Sequence, residues 1–213
     1  MPWIPPLFSD RAAGGRALAE ELARRTLDDP VIVGVARGGV AVAAVVAREL
    51  QAVLTAVDVE RVDAGGLRLG ATTAQGPPYL TEPAGVAVEA VEQALAQARR
   101  AAAALDTRLE VESLPIVDRT TVVVDDGVVS GLTLAAACRW ARAARAGSVI
   151  AATPVGQVDG LARVRDESDE IVCPHPLDRI AVVGQAYDSF EPLDEWYVAG
   201  LLADPEGGVT DRS

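Results

Sequence analysis

Twice along this chain a short run of β-branched apolar residues breaks into a glycine turn and then into an alanine-rich helical stretch. The first passage is Val31-Ile32-Val33-Gly34-Val35-Ala36-Arg37-Gly38-Gly39, continuing in small and apolar residues to Leu50. The second is Val122-Val123-Val124-Asp125-Asp126-Gly127, followed by Val128 to Thr133 and a helical stretch to Arg145. Runs this apolar cannot leave one face in water, so they read as strands of a parallel sheet covered on both sides. Parallel neighbours need crossover connections, right-handed in such sheets, and the helices between supply them. The alternation continues: helix 11–25, strand 31–36, helix 39–50, strand 52–58, helix 86–109, strand 120–125, helix 132–146, strand 148–153, helix 156–166 and strand 169–173. It predicts an α/β fold in three layers, helix–sheet–helix, around a mainly parallel central sheet. Both glycine turns fall at strand carboxyl ends, the edge where open parallel sheets bind ligands.

The chemistry of those turns is specific. At the second, the loop amides and the first helical N–H groups are unpaired and converge on one spot, where the helix dipole also favours negative charge. Ser130 and Thr133 add hydroxyl donors suited to a phosphate. Asp125 and Asp126 cannot bind phosphate directly, but they can accept hydrogen bonds from sugar hydroxyls or stand beside a metal ion. Phosphate on one side and a diol on the other describe a ribose 5-phosphate. The plainer alternative is an ordinary strand-to-helix turn with an acidic cap; the coincidence of an acidic pair, a glycine and two hydroxyls weighs against it. At the first turn, Arg37-Gly38-Gly39 combines a fixed positive charge with glycines that let a ligand approach the backbone.

The run 122–133 resembles the phosphoribosyl diphosphate (PRPP) signature of type I phosphoribosyltransferases: apolar strand, two acidic residues, two mostly apolar residues, then a short Ser/Thr-Gly-x-Thr loop. Arg37-Gly38-Gly39 is similar to that family's diphosphate loop, about 90 residues upstream in the expected order. Phe8-Ser9-Asp10-Arg11 and Val182-Val183-Gly184-Gln185-Ala186-Tyr187-Asp188 resemble the opening and closing segments of bacterial phosphoribosyltransferase-domain proteins. The resemblance covers roughly residues 7–200, with a divergent middle. It implies one phosphoribosyltransferase-like domain over 1–203, with a small hood built from the N-terminal segment and 174–200, and a disordered tail over 204–213. It implies transfer of the phosphoribosyl group from PRPP to a nitrogenous acceptor, with release of diphosphate, in nucleotide metabolism. Roles follow position by position. Asp125 and Asp126 would bind the ribose hydroxyls; Val129, Ser130, Gly131, Leu132 and Thr133 would hold the 5-phosphate. Ala36, Arg37, Gly38 and Gly39 would hold the diphosphate, with Arg37, Asp125 and Asp126 the catalytic set. Mg²⁺ would be held mainly through PRPP, with no direct protein ligand.

Three departures from the family pattern are visible. Val129 stands where 6-oxopurine transferases carry an acid that assists proton removal, which disfavours guanine and hypoxanthine as acceptors. The flexible loop expected in 60–86 is weakly patterned and offers only Arg61, Arg68 and Tyr79. Where purine enzymes stack an aromatic on the base, this chain has Ile180; Phe190, Trp196 and Tyr197 read as packing residues of a C-terminal helix. The hood therefore does not disclose the acceptor. The single histidine, His175, lies between Pro174 and Pro176 and reads as surface or hood lining before catalytic base. The alternative function is a PRPP- or nucleotide-binding regulatory or accessory protein without turnover, favoured by the loop's lack of lysine. A hydrolase using Asp125 as nucleophile would want a lysine partner, and the chain has no lysine at all.

Composition narrows the field further. A net charge of −12 argues against nucleic-acid binding, which needs a basic face to neutralise phosphates. An anionic substrate then depends on local charge, from Arg37, Arg61, Arg68 and two helix N-termini. No apolar run is long enough to span a bilayer, and the opening residues lack the basic and apolar regions of a signal peptide, so a cytoplasmic location is expected. Cys138 and Cys173 lie in different elements without metal spacing, and Cys138 reads as a buried small hydrophobe. A homodimer is compatible with all of this.

Overall fold

The computed structural model describes residues 5–81, 85–111 and 116–204. In chain order it contains α1 (Arg11–Leu22), β1 (Val31–Val35), α2 (Gly38–Leu50), β2 (Val53–Val57), β3 (Glu60–Ala64), β4 (Leu67–Thr72), β5 (Tyr79–Leu80) and α3 (Val88–Arg108). There follow β6 (Thr120–Val124), α4 (Leu132–Ala143), β7 (Ser148–Ala152), β8 (Val155–Gln157), α5 (Val158–Arg165), β9 (Glu170–Val172), β10 (His175–Leu177) and α6 (Glu195–Ala203). A 3₁₀ turn covers Val183–Ala186.

The central sheet has strand order β2-β1-β6-β7-β9, and every pairing in it is parallel. Alternate strand residues face opposite layers, as the period of two requires. Ile32, Val122 and Val124 pack with Leu18, Val42, Val46 and Val198 from α1, α2 and α6. Val31, Val33 and Val123 pack with Leu134, Ala137 and Leu161 from α4 and α5. Cys138 is fully buried in that second layer. This is the three-layer α/β/α architecture expected from the alternation. Asp10 caps α1 by accepting from the Ala13 N–H at 2.7 Å. A Cβ on Gly15 would stand 2.8 Å from Val45 Cβ, so only glycine lets α1 lie this close on α2.

The segment read as a loose loop is folded. Residues from β3 to β5 form a three-stranded antiparallel sheet. Its first hairpin turns at Gly65-Gly66, both with positive φ (60° and 76°), as a two-residue primed turn requires. Val62 and Leu69 on its inner face pack against Ala98, Ala94 and Leu95 of α3. Alternation was masked by a register shift between Val62 and Asp63 and by the glycines and prolines around it. The other end of α3 reaches the main core through Leu105 and Leu109.

Residues 7–9 and 186–189, from the two segments expected to form the hood, pair with each other. The N–H groups of Leu7 and Phe8 donate to the Ala186 carbonyl, and those of Asp188 and Ser189 to the carbonyls of Phe8 and Ser9. Strands β8 and β10 pair in parallel beside them, and Val128 bridges to Gly156. Phe8, Val155, Ile180, Ala186 and Tyr187 form the hood's apolar cluster, with Phe190 against it. Phe190 packs here, ahead of the C-terminal helix expected to carry it; Tyr197 packs on the main core from α6, but Trp196 does not pack and is 78 % exposed. The tail expectation falls, beyond Asp204, on residues outside the described ones. Among the described residues no helix is long and apolar enough to cross a membrane.

Candidate functional site

β1 and β6 are neighbours, with Gly34 opposite Val124, so the two glycine turns leave the sheet side by side. The chain after β1 proceeds to α2 and β2 on one side, and the chain after β6 to α4 and β7 on the other. This is the topological switch point, where such sheets open a crevice. The Ala36–Arg37 peptide is cis, and α2 begins immediately after it. A Cβ on Gly38 would overlap the Asp126 carboxylate, and one on Gly39 would meet the Val124 carbonyl oxygen at 2.5 Å. Residues 36–39 are therefore pressed against the acidic pair. Arg37 is exposed, and its side chain makes no ion pair or hydrogen bond among the described residues. Neither α2 nor α4 has a side-chain cap, which leaves first-turn N–H groups at both for an anion.

The second loop is shaped by α5. Gly131 has φ 77°, and a Cβ there would overlap the Gly160 carbonyl; a Cβ on Gly160 would overlap that of Val129. Arg163 on α5 donates to the Ser130 carbonyl. Sequence reasoning missed this guanidinium, because nothing in the pattern of α5 ties residue 163 to residue 130. Ser130 Oγ lies 3.5 Å from the Leu132 N–H, too long for a strong bond, so its hydroxyl is not committed there. Thr133 is half-buried in the first turn of α4, while the Leu132 side chain is buried in the core and only its N–H can serve a ligand. Val129 packs against the hood's apolar cluster, which accounts for an apolar residue at that place.

Asp125 is half-buried and Asp126 buried. Asp125 Oδ1 accepts the Asp126 N–H at 2.9 Å. Asp126 is held more firmly. Arg11 Nε donates to its Oδ2 at 2.8 Å, and the Tyr187 hydroxyl donates to its backbone carbonyl at 2.6 Å. Burial pushes both carboxyls up from the ordinary range. The neighbouring Asp126 charge raises Asp125 further, while Arg11 opposes the rise at Asp126. Arg11 and Tyr187 lie in the opening and closing segments noted from the sequence, but their convergence on Asp126 could not be read there.

The remaining candidates lie elsewhere. Arg61 is exposed and 4.0 Å from Asp63, and Arg68 stands exposed opposite Asp63 in the β3–β4 register. Tyr79 lies beneath the Arg139 guanidinium, 4.5 Å from ring centroid to its carbon. None of the three bonds to either glycine loop, because the hairpin is committed to α3 and α4. His175 packs its ring edgewise on Phe8, 5.2 Å between centroids, as hood lining. A carboxylate not singled out from the sequence, Asp58 just after β2, is 2 % exposed, and its Oδ2 has no partner among the described residues. Burial, then Glu60 and Asp106, push it up to about 7, with Arg37 opposing.

The family profile of the phosphoribosyl transferase domain matches residues 10–189, which include both loops and the acidic pair. The chain belongs to the phosphoribosyl transferase domain family. Two Mycobacterium tuberculosis proteins, from strains H37Rv and CDC 1551, each provisionally named phosphoribosyl transferase, are 35 % identical over 208 residues. That alignment covers 92 % of this chain and 46 % of theirs, so the chain spans about half the length of these curated relatives. The crystal structure of TT1426 from Thermus thermophilus superposes with a TM-score of 0.80 at 32 % identity, covering 92 % of this chain and 98 % of that one. A Staphylococcus aureus hypoxanthine phosphoribosyltransferase shares the fold at a TM-score of 0.50 and 13 % identity, over 81 % of this chain and 76 % of that one. The phosphoribosyl transferase fold is thus established for this chain, with the two glycine turns at its switch point.

Proposed function

We propose that this phosphoribosyl transferase domain binds PRPP and transfers its phosphoribosyl group to a nitrogenous acceptor, releasing diphosphate. The observation that carries the reading is the contact between the two loops: Gly38 and Gly39 lie directly against Asp126 and Val124 at the ends of adjacent strands. One ligand with phosphate, sugar diol and diphosphate in sequence fits that order. In the transfer, the bond from carbon 1 to the diphosphate oxygen breaks with its electron pair leaving on oxygen. The acceptor nitrogen forms the new bond to carbon 1 and then loses a proton. The chain's own share is positioning and electrostatics. The uncapped start of α4, with Ser130 and Thr133, holds the 5-phosphate; the start of α2, with Arg37, holds the diphosphate as its charge develops. The hood over Val129 and Ile180 shields the cationic sugar from water.

Among the described residues no cluster of three or more His, Cys, Asp or Glu is placed to hold a metal ion. A Mg²⁺ would be carried on the diphosphate and sugar hydroxyls, with residues 36–39 gripping the phosphates and the Asp125–Asp126 pair beside the hydroxyls. Such an ion supplies charge neutralisation to the leaving group. Arg37 supports the transferase reading, since it is exposed and not spent on a structural carboxylate.

A second reading, a PRPP- or nucleotide-binding regulatory or accessory protein, is favoured by the β3–β5 segment, whose Tyr79 is occupied by Arg139. Calorimetric titration with PRPP, with and without Mg²⁺, followed by a screen of nitrogenous bases for diphosphate release, separates the two. Binding with release supports the transferase, binding without release the regulator, and no binding removes both. Thr133→Ala should weaken ribose 5-phosphate binding by about 1.5–3 kcal/mol, the range for a hydrogen bond to a charged group.

A further inference from the structure

Asp126 is gripped at two points, from α1 and from the hood, and the grips are joined to each other. Arg11 holds its carboxylate, with both side chains 13 % exposed. The same guanidinium donates through Nη1 to the Glu191 carbonyl at 3.0 Å and lies 3.7 Å over the Phe190 ring. Phe190 stacks on Tyr187 at 5.1 Å between centroids, and Tyr187 donates to the Asp126 carbonyl. Arg11, Phe190, Tyr187 and Asp126 thus close a ring that spans α1, the C-terminal hood segment and the acidic pair. Gly38 closes off the approach beside Oδ2. Asp125, whose neighbour is fixed in this way, is left with Oδ1 on the Asp126 N–H.

We propose that Arg11 is a positioning residue for sugar recognition: it fixes Asp126 so that the acidic pair presents one defined surface to the ribose hydroxyls, and it makes that surface depend on the hood. The inference rests on the phosphoribosyl reading of the acidic pair. Its physical basis is that two adjacent carboxylates largely shielded from water repel, and without a fixed cation one of them would rotate away or take up a proton. The groups facing Asp126 are Asp125 from its own loop, Arg11 from α1 and Tyr187 from the hood, and Arg11 is the cation among them. The 5-phosphate loop has its own framework in Gly160 and Arg163, so phosphate binding is independent of Arg11.

The test is a pair of calorimetric titrations, with ribose 5-phosphate and with inorganic phosphate, on wild type, Arg11→Met and Arg11→Lys, with thermal melts as a control for folding. Arg11→Met should lose about tenfold or more in ribose 5-phosphate affinity, the scale of one charged hydrogen bond, with phosphate affinity changed by less than about twofold. Added methylguanidinium should restore part of the loss. Arg11→Lys, which keeps the charge but not the planar fork, should fall between. Equal losses for both ligands, or no loss for either, overturn the proposal while leaving the phosphoribosyl reading in place. Failure of wild type to bind ribose 5-phosphate removes that reading and this inference with it. If Arg11→Met does not fold, Arg11→Lys and Tyr187→Phe decide the matter by the same selectivity, and unchanged selectivity in both overturns it.

Discussion

The two glycine loops begin from one local recipe, a buried strand running into an uncapped helix, yet their glycines answer different needs. At Gly38 and Gly39 the need is space, because a side chain would strike Asp126 or the Val124 carbonyl. At Gly131 it is also conformation, since φ is 77° and the Gly160 carbonyl closes the other side. The charges differ as well. Among the described residues the Arg37 side chain has no partner at the first loop, whereas Arg163 is already bonded to the backbone of the second. The first loop is thus an open cationic edge, suited to a leaving group, and the second a preformed cradle, suited to a fixed anchor.

Gly131→Ala should break this arrangement most severely. It combines a left-handed backbone with overpacking against Gly160, together about 3–4 kcal/mol of stability. Chemical denaturation would show the loss, and ribose 5-phosphate binding should vanish with it. A wild-type midpoint with intact binding would mean that the cradle is far softer than its contacts imply.

Comparable in size is the effect at Asp58, the buried carboxyl beside the first loop. Folded, it keeps its proton up to about pH 7, while the unfolded chain releases it near the ordinary value of 3.8. The unfolded state therefore binds fewer protons between those values, and stability falls as pH rises from about 4 to about 7. Asp58→Asn should be stabilising at pH 8 by up to about 4 kcal/mol and neutral below pH 4, since the rise from 3.8 to about 7 spans about three pKa units at about 1.4 kcal/mol each. Urea titrations at the two pH values check it. A gain that did not depend on pH would point to packing instead.

Much of this could be read in the sequence, and the limits have physical causes. The five parallel strands and both loops were legible because fully buried strands have a one-sided composition and glycine turns interrupt them sharply. The elements α2, α3, β6 and β7 begin and end within two or three residues of their expected bounds. The β3–β5 sheet was not legible, because two short strands with a register shift never show a clean period of two. Of the site, the residues at each strand end were visible in order along the chain. The bonds from Arg11, Tyr187 and Arg163 were not, since they join positions 33 to 115 residues apart. Trp196 misled by type: a large aromatic is usually packed, but α6 turns this one outward.

Arg37→Ala sharpens the contrast between the loops. Under the transferase reading it should cost on the order of 10²-fold in turnover, the scale for one preorganised electrostatic contact. Affinity for ribose 5-phosphate, which lacks the diphosphate, should be nearly unchanged. Steady-state rates of diphosphate release set against calorimetric affinities measure both. Equal losses in rate and in ribose 5-phosphate affinity would move Arg37 from the diphosphate end to the sugar end.

The smallest effect belongs to Arg163, and it is the finest test of the two-loop comparison. Its guanidinium holds the Ser130 carbonyl from a half-exposed position, so solvent screens part of its charge. Arg163→Met should therefore cost about 1 kcal/mol of binding, below the range of a fully buried charged hydrogen bond. What matters is how the loss is distributed. A residue that shapes the 5-phosphate cradle must weaken ribose 5-phosphate and PRPP by the same factor, because both ligands carry that phosphate. Arg37→Ala must weaken PRPP more, because only PRPP carries the diphosphate. Measuring both ligands on both variants gives four affinities and one required pattern. If Arg163→Met weakened PRPP alone, the anchoring and leaving ends of the site would have to be exchanged. The contact of Gly38 with Asp126 would then mark the sugar's phosphate side rather than its diphosphate side.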